Sequence, residues 1–237
     1  MGLFDLPAPL FDFVDRLMGA LPAVLRLTVW AALGAALSMV LYRLISPQRR
    51  IAALSAEAAA LRRSLNHHDG EFADAWPLIR SNLGVAGRRL ALVTPPAIVA
   101  SLPLIAIIVW IAGAYGHYFP EAPGPVPARA EPAGDAEARV ERSGAVPRLV
   151  VRSGSAVTEL PLVQPVPVVH KRYWWNFLFG NPAGYLPGKS PVERVYLELP
   201  RIEVLSFGPG WMRTWEATFF VLLVAFSLLI KQVARIE

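Results

Sequence analysis

The chain contains no cysteine, which excludes a disulfide framework, a thiolate zinc site and a cysteine nucleophile. It is also poor in charge, with 17% Asp, Glu, Lys and Arg against the roughly 25% usual in soluble domains. Catalytic signatures are missing as well: there is no phosphate-binding glycine loop, no G-x-S-x-G and no H-E-x-x-H. Gly180-Asn181-Pro182-Ala183-Gly184 is a turn-rich loop outside the strand-to-helix setting that phosphate binding needs. His67 and His68 are adjacent, so on a helix they point to different sides, and they fall in a turn signal, Asn66 to Gly70. No enzyme activity, metal or cofactor is therefore expected. What is abundant is apolar surface, at 54% of residues, gathered into long uncharged runs separated by polar stretches. That distribution is the mark of membrane spans. The net charge of +5 then reads as the basic bias of cytoplasmic loops, and no specific DNA binding is expected.

Three runs are long enough to consider. Leu90 to Tyr115 has 26 residues without a charge, when roughly 20 cross a bilayer. Pro95, Pro96 and Pro103 lie in it, so this span should be kinked or should begin after Pro96. Leu27 to Tyr42, bracketed by Arg26 and Arg43, has 16 uncharged residues, and Ala217 to Ile230, between Glu216 and Lys231, has 14. At 1.5 Å per residue these cover roughly 24 and 21 Å, short of the roughly 30 Å hydrocarbon core. Arg43 and Lys231 either snorkel to the headgroups or line a hydrated groove beside a thinned bilayer.

The segment between the first two runs carries Arg43, Arg49, Arg50, Arg62, Arg63, Arg80, Arg88 and Arg89 against Glu57, Asp69, Glu71 and Asp74. Short loops with that excess stay cytoplasmic, which puts the N-terminus outside and the C-terminus inside. No basic stretch precedes a cleavage site, so no cleaved signal peptide is expected. Within the loop, Ile51, Leu54, Ala58, Leu61 and Leu65 recur at spacings of three and four, as do Phe72, Trp76, Ile79 and Leu83. Two such stripes joined by a short turn predict a cytoplasmic coiled-coil hairpin. Arg49, Arg50, Arg62 and Arg63 on its flanks are placed to contact headgroups or an acidic partner, a ribosome or a nascent chain.

Between the last two spans, Phe119 to Pro147 is rich in Pro, Ala, Glu and Gly and reads as a linker. Short strands are expected at Leu149–Val151, Ala156–Thr158, Leu160–Val169, Arg194–Leu199 and Ile202–Phe207. The aromatic run Tyr173-Trp174-Trp175-Asn176-Phe177-Leu178-Phe179 is an interfacial anchor, part of a small β core, or a sugar- or peptide-binding platform; Trp211 and Trp215 open the third span as further anchors. The expected organisation is a mainly α integral membrane protein. Residues 1–21 form an extracytoplasmic amphipathic leader, 22–45 the first span, 46–89 the hairpin and 90–115 the second span. Residues 116–146 are a linker, 147–210 a small β-rich extracytoplasmic module, 211–232 the third span and 233–237 a cytoplasmic tail.

The end of the first span (Met39-Val40-Leu41-Tyr42-Arg43-Leu44-Ile45), the hairpin from Gln48 to Arg89, and the third span with Ser227-Leu228-Leu229-Ile230-Lys231-Gln232 resemble the YidC-type (oxidase assembly) insertase superfamily. The likeness is to its three-span branch: archaeal YidC-like proteins, the third subunit of the endoplasmic-reticulum membrane protein complex, and the ER transmembrane and coiled-coil domain protein. It implies an ATP-independent chaperone of membrane protein biogenesis, in a bacterial inner membrane here, with a hydrophilic groove open to cytosol and lipid. By position Arg43 matches the groove's basic residue and Lys231 the one ending the third span, with Arg26 a third client-contact candidate. The implied partners are membrane lipids, nascent or client membrane proteins, and other membrane subunits or the ribosome. The insert of residues 116–210 departs from the family's shorter loop, and its alternative reading is an envelope-complex subunit that docks through this module.

Overall fold

The computed structural model describes residues 2–67, 70, 72–121, 126–142, 146–154 and 156–236. His68 and Asp69 of the expected turn, Glu71 after it, and parts of the expected linker (122–125 and 143–145) lie outside the described residues. The helices are α1 (Ala8–Leu17), α2 (Ala23–Ile45), α3 (Gln48–Asn66), α4 (Phe72–Ala114), α5 (Gly210–Arg213) and α6 (Trp215–Ala234). Three of them, α2, α4 and α6, are long and apolar enough to cross a membrane. With 23 and 20 residues, α2 and α6 extend roughly 35 and 30 Å, so the whole helices are long enough to cross a bilayer although their uncharged stretches are not.

The expected second hairpin arm and second span are one helix. All 43 residues of α4 are helical, with Pro77, Pro95, Pro96 and Pro103 inside, so the helix itself does not break at Pro95 or Pro96. Each proline deletes one intrahelical bond, a loss that apolar helices tolerate when nearby hydroxyls supply alternatives. Here the Thr94 hydroxyl donates to the Leu90 carbonyl and that of Ser101 to the Ile98 carbonyl, both at 2.7 Å, each one residue before a carbonyl (Ala91, Val99) that Pro95 or Pro103 leaves without its helical donor.

The chain divides into two compact units. The first comprises Met1–Thr28 and Ile105–Phe219. Its strands are β1 (Val126–Glu131), β2 (Ala136–Glu141), β3 (Arg148–Ser153), β4 (Ala156–Pro161), β5 (Val168–His170) and β6 (Arg194–Leu197). They form one antiparallel sheet of order β4-β3-β2-β1-β6-β5. Its core includes Val126, Val140, Leu149, Val151, Leu162, Val169 and Val195. The β3–β4 hairpin turns at Gly154, whose φ of +58° suits a residue without Cβ.

Two sequence expectations need correction in this unit. The stretch read as a linker supplies β1 and β2, and β1 is the strand that joins the β2-β3-β4 half of the sheet to β6-β5. Its alternation is real but small: Val126, Ala128 and Ala130 face inward between Pro127, Arg129 and Glu131, and in β2 Ala136, Ala138 and Val140 alternate with Glu137, Arg139 and Glu141. Alanine contributes little apolar area, so the period of two is masked by the Pro-rich composition. Conversely, Ile202 to Phe207 is not a strand. Its backbone serves as a tie, with the Ile202 N–H donating to the Gly116 carbonyl at 3.1 Å and those of Val204 and Leu205 to the Arg213 carbonyl at 2.6 and 3.1 Å.

The leader also belongs to this unit. A turn at Leu3–Asp5 binds the module: the Phe4 N–H donates to the Leu178 carbonyl at 3.0 Å, the Gly180 N–H donates to Asp5 at 3.0 Å, and Phe4 stacks on Phe179 at 5.2 Å. Proline at the start of α1 favours helix initiation. One face of α1 then meets the ends of two spans. Asp12 accepts from the Trp110 indole at 2.7 Å; Asp15 accepts from the Tyr115 hydroxyl at 2.6 Å and pairs with Arg26 at 2.7 Å. The opposite face, Leu6, Leu10, Phe13 and Leu17, is exposed at the helical spacing of an interfacial amphipathic helix.

The second unit comprises Val29–Leu104 and Phe220–Glu237. Its buried residues include Trp30, Ala31 and Ala35 on α2, Ile51 and Ala58 on α3, and Val85 and Ala100 on α4. The Ser46 hydroxyl donates to the Tyr42 carbonyl at 2.6 Å and ends α2 before Pro47. The expected coiled-coil seam is not formed as two facing stripes. On α3, Ile51 and Ala58 are buried, but on α4 Phe72, Trp76 and Leu83 are exposed by 71%, 52% and 63%, and the buried residue is Val85, off the stripe. This arm is continuous with the span, and its facing direction follows from that continuity rather than from its own stripe. Arg88 and Glu57, 3.2 Å apart, link the two arms at the surface.

Asp15→Asn keeps an acceptor for Tyr115 but removes the charge that compensates the largely buried Arg26. It is expected to lower stability by about 2 kcal/mol, read as a shifted denaturation midpoint in detergent. A second expectation concerns pH. Burial, and then the nearby Arg201, hold His117 below its ordinary pKa of 6.5, with Glu216 opposing. A histidine kept neutral by the fold adds stability above pH about 6.5 that is lost as the unfolded chain takes up its proton at lower pH. The melting temperature should therefore fall between pH 7.5 and 5.5, and His117→Gln should lessen that fall.

Candidate functional site

The two short spans carry a charge near each end, and the structure treats the ends differently. At the start of α2, Arg26 is paired with Asp15 and lies 5.2 Å from the centre of the Tyr115 ring. At the start of α6, Glu216 is paired with Arg201. Both charges therefore enter the apolar helices neutralised by a partner from the first unit. At the opposite ends, among the described residues, neither Arg43 nor Lys231 has an ion-pair partner. Of the three cations expected against a groove, Arg26 is thus occupied by structure, and Arg43 and Lys231 remain open.

Arg43 is exposed in the last turn of α2, flanked by the exposed Leu44 and Ile45. Lys231 lines a cleft of about 440 Å³ with Arg89, Leu228, Gln232, Arg235 and Ile236; Arg43 is not part of its lining. Arg49, Arg50, Arg62 and Arg63 are all exposed along α3, so the hairpin presents a basic surface on one arm and, on the other, the exposed rings of Phe72 and Trp76, 6.0 Å apart.

The four expected interfacial tryptophans divide. Trp174 and Trp211 are exposed by 81% and 70%, whereas Trp215 is 6% exposed and packs against Phe219. Trp175 takes a third position. Together with Val168, His170, Tyr173, Arg194 and Tyr196 it lines a recess of about 400 Å³ in the β module. Its rings are stacked, Tyr173 on Trp175 at 5.9 Å and His170 on Tyr173 at 5.3 Å. The Tyr196 and Tyr173 hydroxyls beside the guanidinium push the pKa of Arg194 up, yet the buried Tyr173 hydroxyl has no hydrogen bond of good geometry among the described residues. An aromatic wall beside an exposed cation is chemistry for a ring-bearing or acidic ligand. The sequence marks Arg194 only as a strand residue; its place in the recess follows from the pairing of β6 with β5, which sets Arg194 opposite His170.

Among the described residues, no group of three or more His, Asp or Glu is placed to hold a metal ion. Comparisons with protein-family models, with curated proteins and with solved structures find no match to this chain.

Proposed function

We propose that this protein is an insertase-like membrane factor that helps polar segments of client proteins enter or cross the bilayer without ATP. One observation carries the reading: the charges at the leader-side ends of the short spans are neutralised, while Arg43 at the other end of α2 is a cation without a described partner. A cation that has no structural counter-ion and closes an apolar stretch of 16 residues is free to meet the acidic or polar flank of a client. The adjoining hairpin suits capture, because Phe72, Trp76 and Leu83 are uncovered next to exposed arginines. The resemblance to the three-span insertase branch supports the same reading. By the positive-inside rule the hairpin lies in the cytoplasm and the β module outside, in a bacterial inner membrane. Arg43→Glu is expected to reduce client insertion by roughly tenfold, the equivalent of one charge-assisted contact of about 1.5 kcal/mol, with the variant stably embedded. Wild-type insertion by that variant contradicts the reading.

A second reading rests on a different observation, the aromatic recess at Trp175 and Arg194. In it the protein is an assembly subunit of an envelope membrane complex, docked through the β module. Trp175→Ala with Arg194→Ala should then abolish co-purification of an envelope partner while client insertion is unchanged. Unchanged co-purification removes this reading.

A further inference from the structure

The end of α6 is built in a way that its sequence does not demand. The helix closes with two bonds, the Arg235 N–H donating to the Gln232 carbonyl at 3.3 Å and the Ile236 N–H to the Lys231 carbonyl at 3.1 Å. That closure requires a left-handed residue between them, a place glycine usually fills, and here Arg235 takes it with φ of 50°. The strained turn has two consequences. Ile236 becomes buried, and Arg235 is returned alongside Lys231 and Arg89 in one open cleft of about 440 Å³.

Three cations converge there, with Gln232 as an additional amide donor. Among the described residues no carboxylate lines the cleft, and none of the three cations has an ion-pair partner. Like charges gathered in this way repel one another unless an anion lies between them. Two guanidiniums and an ammonium match the oxygens of a phosphate. The remaining lining, Leu228 and Ile236, is apolar, and exposed Leu228, Leu229 and Val233 continue an apolar surface along α6.

We infer that the cleft of Arg89, Lys231 and Arg235 binds the phosphate headgroup of an anionic phospholipid, with its acyl chains along the exposed leucines of α6. A basic cleft at the end of a membrane-spanning helix lies at headgroup depth, where a lipid phosphate is the abundant anion. A soluble phosphate would satisfy the cations but leave the apolar flank unused. The cleft shares Lys231 with the expected groove, but the insertase reading rests on Arg43, which does not line the cleft, and the test alters only Arg89 and Arg235.

The test uses the full chain in neutral detergent, with retained lipid counted by native mass spectrometry after adding phosphatidylglycerol or phosphatidylcholine. Wild type should retain phosphatidylglycerol preferentially, and Arg89→Gln with Arg235→Gly should weaken that retention by on the order of tenfold or more. Glycine suits the left-handed turn, so the second substitution removes the charge without straining the backbone. Arg152→Gln with Lys189→Gln, exposed positions of the β module whose loss lowers the net charge equally, should leave retention unchanged. Should the cleft variant fold poorly, rising salt must still displace phosphatidylglycerol from wild type. Equal retention of the two lipids, equal loss in the Arg152/Lys189 control, a salt-insensitive preference, or full displacement by equimolar inorganic phosphate overturns the inference.

Discussion

Arg26 and Glu216 stand where apolar helices leave the first unit, and each would be costly there alone. The ion pairs to Asp15 and Arg201 remove that cost, and much of the unit follows from them. Asp15 can reach Arg26 and Tyr115 only because α1 lies across the ends of two spans, and α1 lies there because the Leu3–Asp5 turn is hydrogen-bonded to the module. Arg201 can reach Glu216 because the segment around Ile202 is tied by its backbone to Gly116. The leader, the span ends and the sheet are therefore tied together, and at the opposite ends of the same helices Arg43 and Lys231 have no ion-pair partner among the described residues. Neutralisation at one end and free positive charge at the other is the asymmetry from which the functional reading grows.

The membrane-spanning part is legible in the sequence because long uncharged runs need no tertiary context: α2, α4 and α6 lie where hydropathy puts them. The β module is half legible. Runs of large apolar residues such as Leu149-Val150-Val151 in β3 are absent from β1 and β2, whose inward positions are mostly alanine, so a central strand resembles a linker until its pairing with β6 is seen. The hairpin shows the reverse fault. Phe72, Trp76 and Leu83 have good helical spacing, but periodicity alone does not say whether a face is covered, and this one is exposed.

The site is legible as a set of charges and illegible as an arrangement. Arg26, Arg43 and Lys231 are equivalent as ends of apolar runs; only the acidic leader, folded back over 11 residues, separates Arg26 from the others. The Arg89, Lys231 and Arg235 cleft joins residues far apart in the chain, and Arg235 enters it through a left-handed turn that no glycine announces. Trp215 and Trp211 are one helical turn apart in the chain yet differ completely in exposure, because Trp215 opens α6 on the side of Phe219.

The central claim is that the open end of α2 is a client-receiving surface. Its most direct test is site-specific photocrosslinking from Leu44, the exposed neighbour of Arg43, with Leu25 near the neutralised end as the reference position. During insertion of a client with an acidic or polar external segment, the account predicts client adducts from Leu44 and none from Leu25. Adducts at Leu44 only to lipid, or to one fixed subunit irrespective of client synthesis, would contradict it.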